Sequence, residues 1–266
     1  MFNFMDTVLR NRLFTTLLTT FGLASGVLSV FYLLLKNAQI GLPIECFFFS
    51  QILAVLSIAP YRAARTHQQD ILNTQDRALL TLAPRTALYR LLKLVLISQI
   101  PTAVWIVAST ALTRFFAPVP LHQFFQMLVT LGLYSLTAAA IGIAAAHIFR
   151  DVLLGTECAL SFSLLLISGP FLLNPLERYV GDLHPYIPLV LHINPLIVVC
   201  CIFEGLDIFR NPLLYERTPI PSYMFHYPKP WYLIGISQVL LSGACLFTAV
   251  QIENHRQKPA FSSLNL

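Results

Sequence analysis

Long apolar blocks are the feature that most limits what this chain can fold into. A helix needs roughly 20 apolar residues to cross about 30 Å of hydrocarbon, and charged residues form only 11% of this chain, against roughly 25% in soluble domains. The sequence therefore predicts an all-α, polytopic membrane protein with a single transmembrane domain over residues 1–266. Its predicted spans are residues 13–35, 43–59, 91–112, 121–146, 154–173 and 231–252.

Two further elements are predicted at the membrane surfaces. Residues 1–12 mix apolar and polar side chains, which is typical of a short interfacial helix. The apolar run that follows is too long for the core of a cleaved signal peptide. Residues 174–230 form an outer segment whose apolar middle, residues 185–203, is broken by prolines. Because lipid cannot replace the hydrogen bonds that proline removes, we expect a re-entrant helical hairpin here and not a seventh span.

Lysine and arginine residues set the expected orientation. Among the short links they concentrate on the side of the N-terminus, and cytoplasmic loops carry such an excess. The chain is then expected to be a multi-pass protein of the cell (inner) membrane, and its six spans place both termini in the cytoplasm. The net charge of +5 is accordingly interpreted as a topology signal, and no nucleic-acid partner is expected.

The predicted spans carry little that points to chemistry within this chain. Glu45 and Glu157 lie near span ends, where water reaches them, so an ion-coupled carrier is disfavoured. His122 and His147 lie at opposite ends of one span and His67 in a polar stretch, where we expect solvation and no haem pair. The cysteines form no C-x-x-C pair, and no phosphate-binding loop, G-x-S-x-G or H-E-x-x-H motif occurs. Metal and cofactor sites are therefore not expected, and neither is an enzyme acting alone.

The polar stretch between the second and third predicted spans is the most informative one. Asn73 or Thr74 is predicted to cap a helix, with Asp76 in its first turn. Ala78, Leu79 and Leu82 would share one apolar face, and Pro84 would end the helix. A short amphipathic helix between two spans can press into a groove on a partner.

Taken in order, several segments resemble the permease subunit of a type-2 ABC exporter. These segments are Arg10-Asn11-Arg12, Leu79-Leu80-Thr81-Leu82-Ala83-Pro84 with Lys93, the small residues 138–146 followed by Phe149-Arg150, and Ile193-Asn194-Pro195-Leu196. The resemblance covers nearly the whole chain. One departure is the absence of the glycine that members often carry ahead of the leucines. The small residues of the fourth span would allow close helix approach.

The resemblance implies a division of labour. Separate cytoplasmic ABC ATPase subunits would bind ATP and Mg²⁺, and this chain would form the export pathway with a second permease copy or a paralogue. A coupling helix at residues 74–82 would contact the ATPase, and the outer hairpin would close the gate. The implied coupling residues are Thr74, Asp76, Arg77, Leu79, Leu82, Pro84, Arg85 and Arg150. The implied gate residues are Pro188, Asn194 and Pro195.

Two alternatives remain open from the sequence. In the first alternative to a permease, the chain is a non-transporting anchor subunit of a larger complex. In the second, it is an integral-membrane enzyme that handles lipids. An enzyme of that kind needs polar residues clustered at one interface, and the sequence reveals no such constellation. The cargo stays unidentified.

Overall fold

The computed structural model describes residues 43–77, 87–116, 119–203, 218–223, 225–227 and 230–262. Within these residues the protein is helical and has no strand. This described part of the chain contains seven α-helices and a 3₁₀ turn at Ile220–Ser222. The helices are α1 (Pro43–Arg77), α2 (Ala87–Phe116), α3 (Leu121–Phe149), α4 (Val152–Val180), α5 (Tyr186–Ile193), α6 (Ile197–Ile202) and α7 (Tyr232–Ser262).

Five of these helices, α1 to α4 and α7, are long and apolar enough to cross a membrane. They correspond to five of the six predicted spans, so the chain is a multi-pass membrane protein. The predicted span at residues 13–35 and the interfacial helix at residues 1–12 lie outside the described residues. The six-span count therefore stays a prediction.

Helix α1 is much longer than the predicted span at residues 43–59. It continues through Pro60 to Arg77, so the prediction that Asn73 or Thr74 caps a new helix is wrong. Residues 61–77 contain no glycine or further proline that would end a helix. Ala63, Ala64 and His67 recur at helical spacing and are buried against the bundle. Packing therefore stabilises as a helix a stretch whose polar composition is typical of a loop.

Helix α3 is the centre of the bundle. It packs against α1, α2, α4 and α7, and these four enclose most of its surface. The closest approach is at Gly142, where a Cβ atom would lie 2.6 Å from the carbonyl oxygen of Pro60. A second close contact joins α3 to α4, where a Cβ on Gly155 would lie 2.8 Å from the backbone of Ala146. The predicted close packing of the small residues in this span is confirmed.

A two-residue link reverses the chain between α3 and α4. Arg150 adopts a left-handed conformation with φ of 56°, and its N–H donates to the carbonyl of Ala146 at 2.9 Å. Asp151 then caps α4 by accepting from the N–H of Leu153 at 2.7 Å. Helix α3 extends past the end of the predicted span at residue 146, because His147, Ile148 and Phe149 are still helical.

The bundle has two ends, which contacts between helices define. Helices α1, α3 and α7 run toward one end, and α2 and α4 run the opposite way. We call the end that holds His67, Arg90, His147 and Glu253 the cluster end, because these residues contact one another there. The opposite end, where α5 and α6 pack on the bundle, is the hairpin end. Long exposed apolar rows on α4 and α7 face outward, as lipid-facing surfaces do.

Gly142→Ala is expected to destabilise the bundle by about 1–3 kcal/mol, the usual cost of overpacking, because the new methyl group would overlap the backbone at Pro60. Gly132→Ala is the matched control on the same helix, since its Cβ meets nothing within 4 Å. Alanine favours a helix over glycine by about 1 kcal/mol, so the control should be neutral or stabilising. Thermal unfolding of both variants in one mild detergent measures the difference. Equal midpoints would contradict the close contact.

Candidate functional site

The predicted coupling residues fall at the cluster end wherever the structure describes them. Thr74, Asp76 and Arg77 lie in the last turns of α1, and Arg150 lies exposed in the link after α3. Both α1 and α3 end on this side of the bundle, so the coupling residues of α1 and Arg150 share one face. Of the remaining residues, Leu79, Leu82, Pro84 and Arg85 lie outside the described part of the chain.

Beside these residues lies a group of ionisable side chains that we call the ionic cluster: His67, Asp70, Arg90, His147 and Glu253. They come from four helices. The imidazoles of His67 and His147 stack with their centroids 4.1 Å apart. Arg90 donates to Glu253, and its Nε lies 3.9 Å from Oδ2 of Asp70. Nε2 of His147 lies 3.8 Å from Oε2 of Glu253.

Burial gives this cluster its structural importance. His67 and His147 are only 4% and 5% exposed, and the side chain of Glu253 is 10% exposed. Removing one partner of a buried charge pair leaves the other uncompensated, which is strongly destabilising. Nδ1 of His147 contacts the carbonyl oxygen of Ile143 at 3.0 Å, which orients the ring. The cluster therefore ties α1, α2, α3 and α7 together at one end of the bundle.

Two sequence-based expectations are wrong at this point. His67 is not a solvated residue of a polar loop, because α1 continues past it and turns it toward α3. The polar constellation at one interface, which the sequence did not reveal, exists in the ionic cluster. Its members lie far apart in the chain, so only the helical spacing of Ala63, Ala64, His67 and Asp70 offered a signal.

The predicted gate residues lie at the hairpin end, in and between α5 and α6. Pro188 lies within α5, and Asn194 and Pro195 separate the two short helices. The Asn194 amide donates to the carbonyl of Ile167 on α4 at 2.9 Å. Its own Oδ1 accepts from the N–H of Leu196, also at 2.9 Å. Asn194 is buried, so its side chain supplies the backbone partners that a helix would otherwise provide.

Tyr134 is a residue of this region that sequence reasoning missed. Its hydroxyl is buried and donates to the carbonyl of Pro195 at 2.9 Å. This bond connects the break between α5 and α6 directly to α3, the central helix. A tyrosine in an apolar span gives no sequence signal of its partner, because the partner is a backbone carbonyl 61 residues away. The two short helices occupy the predicted hairpin, whereas their re-entry into the membrane stays a prediction.

Another polar contact joins the middle of α1, α2 and α3. Nε2 of Gln99 on α2 donates to the carbonyl of Ala59 on α1 at 3.3 Å. The Ser135 hydroxyl on α3 donates to Oε1 of Gln99 at 2.7 Å. Side chains that hydrogen-bond across helices in this way add to the packing of membrane bundles.

Comparison of the chain with protein-family models, with curated proteins and with solved structures finds no match. Within the described residues, no group of three or more His, Cys, Asp and Glu side chains is arranged to hold a metal ion. The geometry of the site comprises an ionic cluster at one end, the two short helices α5 and α6 with their hydrogen bonds at the other, and α3 between them.

Glu253→Gln is expected to lower stability by about 1.5–3 kcal/mol, the contribution of a hydrogen bond to a charged group, because Arg90 loses its charged partner. Glu157→Gln removes a carboxylate from the exposed face of α4 and serves as the control. Thermal unfolding in detergent at neutral pH measures both. A cluster without structural importance would give the same midpoint in the two variants.

Tyr134→Phe is expected to loosen the hairpin end while leaving the bundle folded. The loss of one buried hydrogen bond costs about 1 kcal/mol, so amide protons of α5 and α6 should exchange about fivefold faster. Tyr179→Phe, at a position that is 88% exposed, is the matched control. Hydrogen exchange read by mass spectrometry makes the comparison, and unchanged protection of α5 and α6 would argue against the bond.

Proposed function

We propose that this chain is the transmembrane permease subunit of an ATP-binding-cassette exporter, which forms the export pathway and couples to a separate ATPase. In this proposal the chain is not itself an enzyme. Cytoplasmic ABC ATPase subunits bind ATP and Mg²⁺, and the pathway is completed by a second copy or a paralogue. The resemblance in the sequence motivates the proposal, and the geometry of α1 is the observation that carries it.

Helix α1 has the form of a lever. It is a single helix of 35 residues, which at 1.5 Å per residue is about 50 Å long. The hydrocarbon core is only about 30 Å thick, so α1 extends past the membrane. Its last turns carry Thr74, Asp76 and Arg77, the residues proposed to contact the ATPase. A partner that moves this end would act directly on a transmembrane helix.

The ionic cluster supports transmission of such a movement. His67 and Asp70 lie on α1 close to its proposed contact end, and they engage His147 on α3 and Arg90 on α2. From His147, α3 runs about 20 Å to Tyr134, which bonds to Pro195 at the hairpin end. A rigid-body switch needs contacts of this kind between packed elements at both ends.

The charges of the described residues agree with a cytoplasmic cluster end. Arginine and lysine side chains gather there, whereas the hairpin end has Arg114 and Arg178. In this proposal the positive-inside tendency directs the end of α1 to the cytoplasm of the cell (inner) membrane, with both termini on that side. The arginine and lysine residues at the cluster end include Arg62, Arg65, Arg90, Lys93 and Arg150.

An integral-membrane enzyme that handles lipids is the second candidate, because the ionic cluster is the polar constellation that such an enzyme needs. Against it, His67 and His147 are nearly fully buried, so a substrate would reach them only after α1 and α3 separate. Such an enzyme would act without an ATPase. A non-transporting anchor subunit would likewise retain no ATPase, and the same experiment separates these alternatives from a permease.

The double variant Asp76→Ala, Arg77→Ala is expected to lose the ATPase partner while inserting normally. Purification of the tagged chain in mild detergent should retain a P-loop ATPase, and the variant should retain about tenfold less, as truncation of central interface residues does. The permease-dependent part of the ATPase activity should fall with it. The double variant Arg178→Ala, Asp182→Ala, which removes one basic and one acidic side chain at the hairpin end, is the charge-matched control. If no ATPase accompanies the wild-type chain, the permease assignment is wrong.

A further inference from the structure

A cavity of about 70 Å³ lies between α1 and α2 and opens on one side. Its walls are mostly apolar and include Ala54, Ile58, Pro101 and Trp105. Ile58 is exposed at its edge, so the cavity opens on the surface that faces the surrounding lipid. Sites for whole small molecules enclose at least about 300 Å³. This cavity is too small for that and is suited to part of a long, thin ligand such as an acyl chain.

Two polar groups line the same cavity. Thr102 is buried, and its hydroxyl oxygen has no hydrogen-bond partner among the described residues. Arg62 is half-buried, and its Nε is enclosed and also without a partner there. Within the described part of the chain no carboxylate lies within 4.0 Å of Arg62. A half-buried cation with no carboxylate among its described neighbours is unfavourable, so a bound anion would stabilise it.

The order of these groups along the helices is informative. The contact of Gln99 with the carbonyl of Ala59 sets the register between α1 and α2. In this register Arg62 is nearest the cluster end, and Thr102 lies about 9 Å deeper, with Ile58 between the two. Ala54 lies eight residues before Arg62, or about 12 Å deeper in the bilayer, and Trp105 lies about as deep. The charge, the hydroxyl and the apolar side chains of Ala54 and Trp105 thus follow one another from the interface inward, as the phosphate, ester and acyl chain of a phospholipid do.

We propose that the groove between α1 and α2 binds one anionic phospholipid from the leaflet at the cluster end. Arg62 binds the phosphate, the Thr102 hydroxyl donates to an ester carbonyl, and the acyl chain lies against Ala54 and Trp105. Basic pockets between transmembrane helices bind anionic headgroups in this way. The site is independent of the proposed transport role, because it requires neither an ATPase nor a cargo.

Trp105 provides the readout. The sequence contains two tryptophans, so Trp231→Phe leaves Trp105, in the groove, as the single fluorophore. The full chain is reconstituted in vesicles of phosphatidylcholine that contain a rising fraction of phosphatidylglycerol with brominated acyl chains, which quench tryptophan on contact. Brominated phosphatidylcholine is the parallel series. We expect quenching by the anionic lipid to saturate at about tenfold lower mole fraction.

Three variants in the Trp231→Phe background test the assignment. Arg62→Gln should remove the preference for the anionic lipid, and Ala54→Leu, which fills the groove, should reduce saturable quenching by both lipids. Arg65→Gln removes the same charge from the same end of the bundle, outside the groove, and should change nothing. Equal loss in Arg62→Gln and Arg65→Gln would reduce the effect to general surface charge and overturn the site.

Soluble competitors separate a lipid from a free anion. Inorganic phosphate and glycerol phosphate at millimolar concentration should not relieve the quenching, because they lack an acyl chain. If either one displaces the brominated lipid fully, the groove is an anion site and the lipid assignment is wrong. Quenching that is identical for the two lipids in the unsubstituted groove would also overturn it. Circular dichroism of each variant verifies that the helices are intact.

Discussion

Close packing of α3 against its neighbours is the constraint on which the rest of the structure depends. Gly142 lets the backbone of α1 approach at Pro60, and Gly155 lets α4 return alongside Ala146. Lipid offers helices no hydrophobic reason to associate, so small residues that permit close contact supply the association. Because α3 touches four long helices, its position determines theirs, and both ends of the bundle are built around it.

Several polar side chains in the bundle bond to the backbone or to a charge of another helix. Gln99 bonds to the carbonyl of Ala59 on α1, and Asn194 bonds to α4 where the chain breaks between α5 and α6. At the cluster end, Arg90 and Glu253 neutralise each other beside two stacked histidines. These contacts join helices that are distant in sequence, so the two ends of the bundle are mechanically connected through α3. A connection of this kind is what a permease driven from one side would require.

The packing of α1 against α2 shapes both the ionic cluster and the groove proposed to bind lipid. It directs His67 and Asp70 toward the bundle, where they join the ionic cluster. It leaves Arg62 on another face of the same helix, next to an apolar groove and with no carboxylate within 4.0 Å among the described residues. In this stretch of α1, His67 and Asp70 face the interior of the bundle and Arg62 faces the lipid side. Polar and apolar residues alternate in its sequence because the helix has these two different faces.

The sequence by itself determined the helical class and five of the spans, because roughly 20 apolar residues in a row admit few other structures in a membrane. It also indicated the breaks at Asn194 and Pro195, since proline has a local effect. The length of α1, the stacked pair His67 and His147, and the bond from Tyr134 were decided only by tertiary structure. Each depends on which helix faces which, and packing between residues distant in the chain sets that choice, with no local signal in the sequence.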